Sequence, residues 1–541
     1  MRAPQLGVYA SNLSLPEGCL PVVVQSEEYV FDLIALHARN RPLAEAICSS
    51  DRSMTYLKLN GRINILCEVL RDAGVLPGDR VMLLGNKTPT AVCAILALLK
   101  FGAVCAIVNP INPDERLRYM ASHSSCSKVL ISDKSSETKA RNLGLPIISI
   151  PTDWTNYHHV AKDDESQSLT TITRTLVDDA VISFTSGSTG QPKAVIYSHG
   201  TISNMVAALA KDMNIGPDSR VFQFAAFGWC IALQDICITL ANGGTLCLPT
   251  TEEAHNELVA SIQSLRANTI TLPPSLINTF EPSELDCIRT LIFVGEHVAP
   301  STVLKWRKDR NILVNYGSTE TNAALLSPVE VINDEVHFVR SSSSTRAWLV
   351  DASDHNILLT KPGVIGELVT ESSIAATGYI GEDQNQNQRP GEECWIDAPV
   401  WRTQFTSPST EKNSLGLQFV KTGDLFERKE NGYLRLVGRK DAQIKIRGQR
   451  LDPSEVEFHI SAHVDGISEL ACVKGRFMDS PKETLVVFFA FATKGRRDAM
   501  VGLDKILLQH IPSYMVPAGF IENDHLPRTA SGKVDRKAMQ K

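Results

Sequence analysis

A stretch rich in glycine, serine and threonine, TSGSTGQPKAV, occupies residues 185–195 and carries one lysine, Lys193. Successive backbone N–H groups of a Gly-rich turn form a concavity that binds anions, and here hydroxyls and a positive charge are added. The spacing is not that of the phosphate-binding loop G-x-x-x-x-G-K-[ST], because Gly190 and the lysine are not adjacent and Ala194 replaces the magnesium-binding hydroxyl. A generic ATPase of that type is therefore disfavoured. Taken alone, an ordinary surface turn explains the stretch equally well.

A second stretch, NYGSTETN at residues 315–322, combines an aromatic residue, a glycine turn and a carboxylate. The aromatic face of Tyr316 could press against a planar base, and Glu320 could hold Mg²⁺, a hard cation that prefers carboxylate oxygens. The alternative is a capping turn that begins a helix near Thr319 or Glu320. Taken alone, this stretch favours the capping turn.

Two further stretches carry polar groups suited to a sugar and to a reacting phosphate. In KTGDLFERKENGYLRLVGRKD, residues 421–441, Asp424 in a tight TGD turn could accept hydrogen bonds from both ribose hydroxyls, and Arg439 could donate to the same sugar. The alternative, a β-hairpin that turns at residues 430–432, is expected in either case. Near the chain end, Lys533 in PRTASGK could stabilise charge that develops during phosphoryl or acyl transfer, although a lone lysine there usually belongs to a solvated tail.

Composition limits the classes of protein that could carry these stretches. The chain has 541 residues, which predicts two or more domains, and its net charge of −6 gives no basic surface for nucleic acid. Twelve cysteines without a C-x-x-C pair favour a reducing compartment over a structural zinc site. The most apolar segment, residues 91–108, is interrupted by Lys100 and Gly102 and therefore predicts a buried helix followed by a buried strand rather than a membrane span. A cytoplasmic protein is the default expectation.

Alternating helix-like and strand-like segments from Tyr29 onwards predict an α/β fold of layered subdomains with mainly parallel sheets. Strand-like VISFT and AVIYSH flank the first stretch, so that loop is predicted to join two strands. Within residues 381–416, the polar stretches EDQNQNQRPGEECW (382–395) and TSPSTEKNS (406–414) predict long surface loops. A loose leader is expected up to residue 26. A change of pattern after Val437 predicts that roughly the last hundred residues form a small α+β domain.

The four stretches, in this order and at these separations, resemble the adenylate-forming superfamily. The chain is similar to acyl-CoA synthetases, aryl-acid ligases and the adenylation domains of nonribosomal peptide synthetases, the fungal ones above all. The resemblance runs from about Ser26 to Lys541. Lesser matches support it: NPDERLRYM (112–120), LPPSL (272–276), VGEHV (294–298), IGELV (365–369) and PSYMVP (512–517).

The resemblance implies an ATP- and Mg²⁺-dependent ligase with two half-reactions. A carboxylate attacks the α-phosphate of ATP to give an acyl-adenylate and pyrophosphate, and a thiol then displaces AMP. Thr319 would contact the α-phosphate, Glu320 would hold Mg²⁺, and Lys533 would bridge the carboxylate and the α-phosphate. One departure is Ala194, where the family usually has glycine. The remaining nucleotide contacts implied are Thr185, Ser186, Gly187, Ser188, Thr189, Gly190 and Lys193 for the β- and γ-phosphates, Gly295, Glu296, Asn315, Tyr316, Gly317 and Ser318 for adenine, and Asp424 with Arg439 for ribose.

The resemblance also divides the chain at a hinge. Residues 27–437 would form the large N-terminal domain, residues 438–441 the hinge centred on Asp441, and residues 442–541 a small mobile domain that carries Lys533. The small domain would swing between the two half-reactions. The turn around Arg447 and Gly448 would then face the incoming thiol.

The acid is expected to lack an α-ammonium group. In amino-acid-activating relatives an aspartate that follows an aromatic residue binds the ammonium, and aligning FAAFGWCIALQDI (224–236) puts Trp229 at the aromatic position and Cys230 at the aspartate. Burial of an ammonium without a counter-charge costs several kcal/mol. An aryl or small hydrophobic acid therefore fits better. The predicted pocket wall comprises Trp229, Cys230, Ile231, Gln234, Thr271, Ile292, Val294, Ala323 and Ala324, together with Asn315.

The thiol acceptor remains open at this level. No carrier domain follows Lys541, so the acceptor is expected to be the phosphopantetheine of a separate carrier protein, with free CoA as the alternative. A piece of a larger synthetase also fits the sequence. A non-catalytic nucleotide-binding regulator is a remote alternative, because Glu320, Asp424 and Lys533 are all present. Neither a nucleic acid nor a membrane is expected as a partner.

Overall fold

The computed structural model describes most of the chain between Ser26 and Gln540. The predicted leader lies outside the described residues apart from Ser26, as do the hinge residue Asp441, Arg447 and Lys533. The described ranges are 26–50, 52–151, 175–187, 191–339, 341–381, 394–405, 417–440, 444–446, 448–476, 483–491, 500–528, 534, 536 and 538–540.

The helices follow the predicted apolar periodicity. The first buries Val30, Phe31, Ile34 and Ala38 on one face, as a helix that packs on a sheet must. The α-helices are α1 Val30–Asn40, α2 Tyr56–Asp72, α3 Pro89–Phe101, α4 Asp114–His123, α5 Glu137–Arg141, α6 His199–Met213, α7 Cys230–Ala241, α8 Thr251–Asn256, α9 Leu258–Ser264, α10 Pro274–Ile277, α11 Pro300–Trp306, α12 Pro453–His463 and α13 Leu503–Leu507, and short 3-10 helices lie at Lys134–Ser136, Pro282–Leu285, Val400–Phe405, Ser513–Met515 and Ala538–Gln540.

The strands are mostly short and buried. They are β1 Glu45–Cys48, β2 Ser53–Thr55, β3 Arg80–Leu84, β4 Val104–Ile107, β5 Lys128–Ile131, β6 Ile147–Ser149, β7 Asp179–Thr185, β8 Lys193–Ser198, β9 Arg220–Phe222, β10 Thr245–Cys247, β11 Thr269–Leu272, β12 Thr290–Val294, β13 Asn311–Tyr316, β14 Leu325–Ile332, β15 Glu335–Phe338, β16 Thr345–Val350, β17 Ile365–Ser372, β18 Gly378–Tyr379, β19 Trp395–Ile396, β20 Gln418–Arg428, β21 Leu434–Arg439, β22 Ile444–Ile446, β23 Gln449–Leu451, β24 Ile467–Arg476, β25 Glu483–Phe491 and β26 Gly519–Glu522.

Two large sheets form the body of the molecule. The first runs in the order β16-β17-β20-β21-β15-β14-β13-β12-β11-β9-β10-β1-β2, with β19 paired to β20. The second runs β18-β8-β7-β4-β3-β5-β6. Pairing is parallel through β13-β12-β11-β9-β10-β1 and through β7-β4-β3-β5-β6. The α/β prediction is confirmed. The first sheet also has an antiparallel part, β14 to β17 and β19 to β21, of which the sequence pattern predicted only the β20–β21 hairpin.

The apolar segment at residues 91–108 forms α3 and β4, as predicted. Thr88 caps the helix by accepting a hydrogen bond from the Ala91 N–H at 3.1 Å, and Gly102 ends it with a φ of 81°, a backbone conformation that favours glycine. Both elements are buried almost throughout. Among the described residues, no helix has the length and hydropathy that crossing a bilayer requires.

The last hundred residues have their own three-stranded sheet, β24-β25-β26, and a separate β22–β23 hairpin. Helices α12 and α13 pack on this sheet around a hydrophobic cluster that includes Val456, Ile460 and Leu507. This α+β arrangement agrees with the predicted content of the small domain.

The two polar stretches predicted to form long surface loops, residues 382–395 and 406–414, lie almost entirely outside the described part of the chain, so their conformation stays a prediction. Residues 382–393 and 406–416 lie outside the described residues. Between them, β19 pairs with β20, and Trp401 and Arg402 are buried. The guanidinium of Arg402 bonds the Glu371 carboxylate at 2.8 Å. Burial of Trp401 and Arg402 anchors residues 394–405, which lie between two polar stretches.

Candidate active site

The Gly-rich loop joins β7 to β8, which pair antiparallel from Asp179 opposite Ser198 to Thr185 opposite Lys193. The prediction that the loop connects two strands is therefore confirmed. Gly187 has no room for a side chain, because a Cβ there would lie 2.1 Å from the Gln191 carbonyl oxygen. Lys193 Nζ lies 4.8 Å from the ring centroid of Tyr379. Ser188, Thr189 and Gly190, also predicted to contact phosphate, lie outside the described residues.

The hydroxyls of the loop differ in their hydrogen bonding. Thr185 Oγ1 is buried and has no hydrogen-bond partner within the described part of the chain. Ser186 Oγ accepts a hydrogen bond at 3.1 Å from the backbone N–H of Asp452, which precedes α12 in the small domain. The loop thus offers one unused donor and contacts the small domain directly.

The second stretch, Asn315 to Asn322, connects β13 to the antiparallel β14. The alternative of a capping turn before a helix is wrong, because the chain reverses and pairs with the strand it has just left. Thr321 Oγ1 accepts the Ser318 N–H at 2.9 Å and holds this turn. The Glu320 carboxylate is 1% exposed and accepts the Tyr379 hydroxyl at 2.7 Å.

Asp424 and Arg439 stand directly opposite each other on β20 and β21. Arg439 Nη1 lies 2.8 Å from Asp424 Oδ1, and the Tyr316 hydroxyl donates to Asp424 Oδ2. Burial, reinforced by the neighbouring Asp424 carboxylate, raises the pKa of Tyr316 well above its usual value, so the phenol stays a donor. The carboxylate is therefore fixed by two partners from two different strands.

The TGD segment is a bulge inside β20, and the prediction of a tight turn there is wrong. Residues 422–424 lie opposite Leu368 of β17 alone, since Leu425 pairs with Glu367 and Lys421 with Val369. Gly423 has a φ of 72°, which favours glycine, and its N–H donates to Glu367 at 3.2 Å. The expected hairpin turn is present at residues 429–433, where the Gly432 N–H donates to the Lys429 carbonyl oxygen at 2.9 Å.

A cavity of about 160 Å³, called here the main cavity, lies where β4, β7, β12 and β13 end and α7 begins. The carboxyl ends of parallel strands are a common position for ligand sites. An adjoining side cavity of about 210 Å³ shares Gly295, Asn315 and Lys445 with it and is also bordered by Glu296 and Tyr316. The predicted nucleotide contacts that border the main cavity are Thr185, Ser186, Gly295, Asn315, Gly317, Ser318 and Thr319.

The predicted acid pocket is only partly open to the main cavity. Trp229, Cys230, Ile231 and Val294 border it. Asn315 also borders it, and its amide donates to Gln234 Oε1 at 3.0 Å. Gln234 in turn donates to Asn322. The other predicted wall residues are buried and do not border the cavity: Gln234, Thr271, Ile292, Ala323 and Ala324.

Cys230 is the first residue of α7 and lies beside the predicted catalytic residues. Its thiol contacts the Thr319 side chain, and the Glu320 carboxylate is close enough to influence its pKa. Burial raises the pKa of the Cys230 thiol to about 11, so it is uncharged at neutral pH. The thiol therefore lies on the side of the cavity where the α-phosphate is predicted to bind. The type of acid that fits must be inferred from all the residues that line the cavity.

Several residues that border the main cavity were not predicted from the sequence. Arg116 and Met120 come from α4, and Lys445, Gln449 and Tyr514 come from the small domain. The stretch NPDERLRYM drew attention only as a match to the family. An arginine in the middle of a short polar helix resembles an ordinary surface residue, so no local signal marked Arg116.

The small domain closes one side of the main cavity through two glycines. A Cβ on Gly295, at the end of β12, would lie 2.9 Å from the carbonyl oxygen of Gly448. A Cβ on Gly448 would meet Pro273 at 2.9 Å and lie 3.9 Å from the Trp229 ring. Backbone therefore approaches backbone at this contact, and the turn at Gly448 faces the predicted acid pocket.

Comparisons with known proteins agree with this architecture. A family model described as AMP-binding enzyme matches residues 34–380. The nonribosomal peptide synthetase dtxS1 of Metarhizium robertsii is 30% identical over 535 residues, which is 96% of this chain and 7% of that protein. The N-benzoylphenylalaninol synthetase apmA of Penicillium brevicompactum is 28% identical over 546 residues, 98% of this chain and 22% of that protein. The chain spans less than half the length of the curated relatives it matches.

A solved structure gives the same result for the fold. The Vibrio cholerae adenylation domain AlmE, in complex with glycyl-adenosine-5'-phosphate, superposes with a TM-score of 0.78 and covers 97% of this chain and 99% of its own. The two sequences are 19% identical. At that identity the likeness establishes the fold.

Proposed function

Because the chain belongs to the AMP-binding enzyme family, we propose that it joins a carboxylic acid to a thiol with ATP as the energy source. The acid's carboxylate oxygen attacks the α-phosphorus and pyrophosphate leaves. The thiol sulfur then attacks the acyl carbon, AMP leaves, and the thiol proton passes to solvent. The convergence of the Gly-rich loop, the Asn315–Glu320 turn and the small-domain turn on one cavity carries this proposal.

The side chains divide the work of holding ATP. Asp424, fixed by Arg439 and Tyr316, offers its carboxylate to the ribose hydroxyls. Thr185, Ser186 and the backbone of the loop face the terminal phosphates. Phosphoryl transfer depends on positioning and charge stabilisation more than on covalent help from the protein. Lys533, outside the described residues, is proposed to bridge the two reacting anions, on the strength of its place in PRTASGK.

Glu320 is the proposed Mg²⁺ ligand. Its carboxylate is buried beside Thr319 and is oriented by the Tyr379 hydroxyl, which fits a hard cation that prefers oxygen ligands. Mg²⁺ would neutralise charge on the phosphate oxygens of bound ATP. Thr319 would remain free to contact the α-phosphate.

The proposed substrate is an aryl or small hydrophobic acid without an α-ammonium group. No Asp or Glu borders the main cavity among the described residues, so an ammonium there would lack a counter-charge. Apolar Trp229, Ile231 and Val294 border it instead. The name of one relative, N-benzoylphenylalaninol synthetase, contains a benzoyl group, an aryl acyl group of the proposed kind.

The proposed thiol belongs to a carrier protein in trans. This choice is supported by the peptide-synthetase relatives, and free CoA is the competing acceptor. A reaction of the adenylated acid with CoA and, separately, with a carrier domain bearing phosphopantetheine, followed by intact-mass measurement, distinguishes the two.

The central test is acid-dependent pyrophosphate exchange over a panel of paired acids, for example benzoate with phenylglycine and a phenylpropanoid acid with phenylalanine. We expect exchange with at least one acid and weaker exchange with its amino-acid partner. Lys533→Ala should lower exchange by about 10²–10³-fold, because one preorganised charge is lost. Exchange best supported by an α-amino acid would contradict the substrate class only, whereas no exchange with any carboxylic acid would contradict the function.

A further inference from the structure

An ion pair between the two domains lies against the Gly-rich loop. Arg116 of α4 bonds Glu455 in the first turn of α12, and the two side chains are 5% and 0% exposed. The Asp452 N–H donates to Ser186 Oγ in the same contact. The backbone N–H of Gly187 faces the Glu455 carboxylate and acts to lower its pKa. A carboxylate of the small domain therefore lies against the N–H of Gly187, a loop residue predicted to contact phosphate.

The polar atoms around this carboxylate are incompletely paired. Glu455 Oε2, Arg116 Nε and Thr185 Oγ1 are all buried and have no hydrogen-bond partner within the described ranges. Burial raises the pKa of Glu455 despite the neighbouring guanidinium. A buried ion pair is stable only when its geometry and additional hydrogen bonds offset the cost of desolvation. Here one carboxylate oxygen and two donors are left over. The oxygens of a larger anion would satisfy the two donors, Arg116 Nε and the Thr185 hydroxyl.

Arg116 is also placed to reach such an anion, because it borders the main cavity together with Thr185 and Ser186. Arginine binds phosphate through two parallel hydrogen bonds, which a carboxylate with one paired oxygen does not fully use. Glu455 and the terminal phosphates of ATP would require the same Arg116 guanidinium and the same Gly187 N–H. Both anions cannot be bound there at once.

We propose that Arg116 binds the terminal phosphates of ATP, and that Glu455 occupies this place only while the loop holds no phosphate. This inference rests on the proposed function, since ATP must be the substrate. Polyphosphate binding would then release α12 from the loop, and loss of pyrophosphate would let it return. The position of the small domain is thereby coupled to the phosphates and not to the adenosine.

The test compares binding of ATP, pyrophosphate and AMP to the full chain by calorimetry. Glu455→Gln removes the competing charge. It should raise the affinity for ATP and for pyrophosphate by about tenfold and leave the affinity for AMP unchanged. The double variant Arg116→Met with Glu455→Gln should lose that gain. An equal gain in AMP affinity would show that the small domain only blocks access to the whole nucleotide site. If the double variant binds ATP and pyrophosphate as tightly as Glu455→Gln does, Arg116 does not bind the phosphates.

A second side-chain contact between α4 and the small domain provides the matched control. Glu115, next to Arg116, lies 2.8 Å from His510 but is 60% exposed on its side chain, and it does not border the main cavity. Glu115→Gln should leave the affinity for all three ligands within about twofold, because exposed pairs contribute little. A gain in ATP affinity equal to that of Glu455→Gln would overturn the specific role of Glu455.

A measurement on the wild-type chain keeps the proposal testable if a variant fails to fold. Hydrogen exchange at the N–H of Asp452 and in the first turn of α12 should accelerate with pyrophosphate and stay unchanged with AMP. Unchanged exchange in the presence of bound pyrophosphate would overturn the inference. A wild-type chain that binds neither ATP nor pyrophosphate would instead contradict the proposed function itself.

Discussion

The proposed ribose site and the Gly-rich loop differ in how completely their polar groups are paired. Both oxygens of Asp424 have partners, Arg439 and Tyr316, supplied by strands of one continuous sheet. In the loop, Thr185 Oγ1 has no partner in the described part of the chain, and Ser186 is bonded across the domain boundary. The first region is fully paired without nucleotide, whereas the proposed phosphate loop would have to exchange the Ser186 partner in order to bind phosphate.

The strongest test of this contrast is Asp424→Asn. It removes the charge that fixes Arg439 and the Tyr316 hydroxyl, and hydrogen bonds to a charged group contribute about 1.5–3 kcal/mol each. We expect kcat/KM for pyrophosphate exchange to fall about 10²–10³-fold and the free energy of unfolding to decrease.

The matched control for Asp424→Asn is Glu427→Gln on the same strand. Glu427 pairs with Arg435 of β21 and borders neither cavity. We expect less than about a threefold change in kcat/KM, as for partly exposed pairs. Similar losses in the two variants would show that the hairpin acts only as a scaffold.

Smaller effects are expected for Thr185→Val, in which stability and ATP affinity should change in opposite directions. Replacing an unpaired buried hydroxyl with a methyl group should leave the free energy of unfolding unchanged or raise it by about 1 kcal/mol. ATP affinity should nevertheless fall by about tenfold, because the lost hydroxyl is a proposed phosphate donor. Denaturant titration and calorimetry measure the two quantities.

Thr422→Val is the comparison variant from the ribose region. Its hydroxyl donates to the Leu368 carbonyl oxygen at 2.9 Å, so its loss should lower the free energy of unfolding by about 1 kcal/mol. If Thr185→Val loses as much stability as Thr422→Val, the Thr185 hydroxyl is hydrogen-bonded as well, and the two regions do not differ in the pairing of their polar groups.

The smallest effect on nucleotide affinity is expected for Tyr316→Phe. Removing the hydroxyl leaves Asp424 with the single partner Arg439, and one hydrogen bond to a charged group contributes about 1.5–3 kcal/mol. We expect that loss in unfolding free energy and less than a tenfold change in nucleotide affinity. A larger loss of affinity at constant stability would place the hydroxyl in contact with the nucleotide.

Much of the architecture followed from local sequence. Family membership confirms the predicted superfamily, and the strands on both sides of the Gly-rich loop are where VISFT and AVIYSH predicted them. The contacts of Lys533 and Asp441 stay predictions, because both lie outside the described residues. The sequence pattern was sufficient to predict an element wherever the conformation depended mainly on residues nearby in the chain.

The errors share a long-range cause. The turn predicted at TGD is a bulge because β17, more than 50 residues earlier along the chain, pairs on both sides of it. The alternative of a capping turn before a helix near Thr319 or Glu320 fails because β13 is available to pair with β14. Arg116 was missed because its partner Glu455 lies 339 positions away. A single sequence carries no signal for such contacts.

The first sheet has a consequence for how the chain folds during synthesis. Strands β20 and β21, which end at Arg439, lie between β17 and β15. A ribosome that has released only the segment up to residue 380 has therefore produced β15 and β17 with unpaired edges facing each other. Unpaired strand edges are templates for aggregation, and pairing across such long separations is slow. Until the segment between β18 and β21 has been translated, the edges of β15 and β17 are therefore open to pairing with strands of other chains.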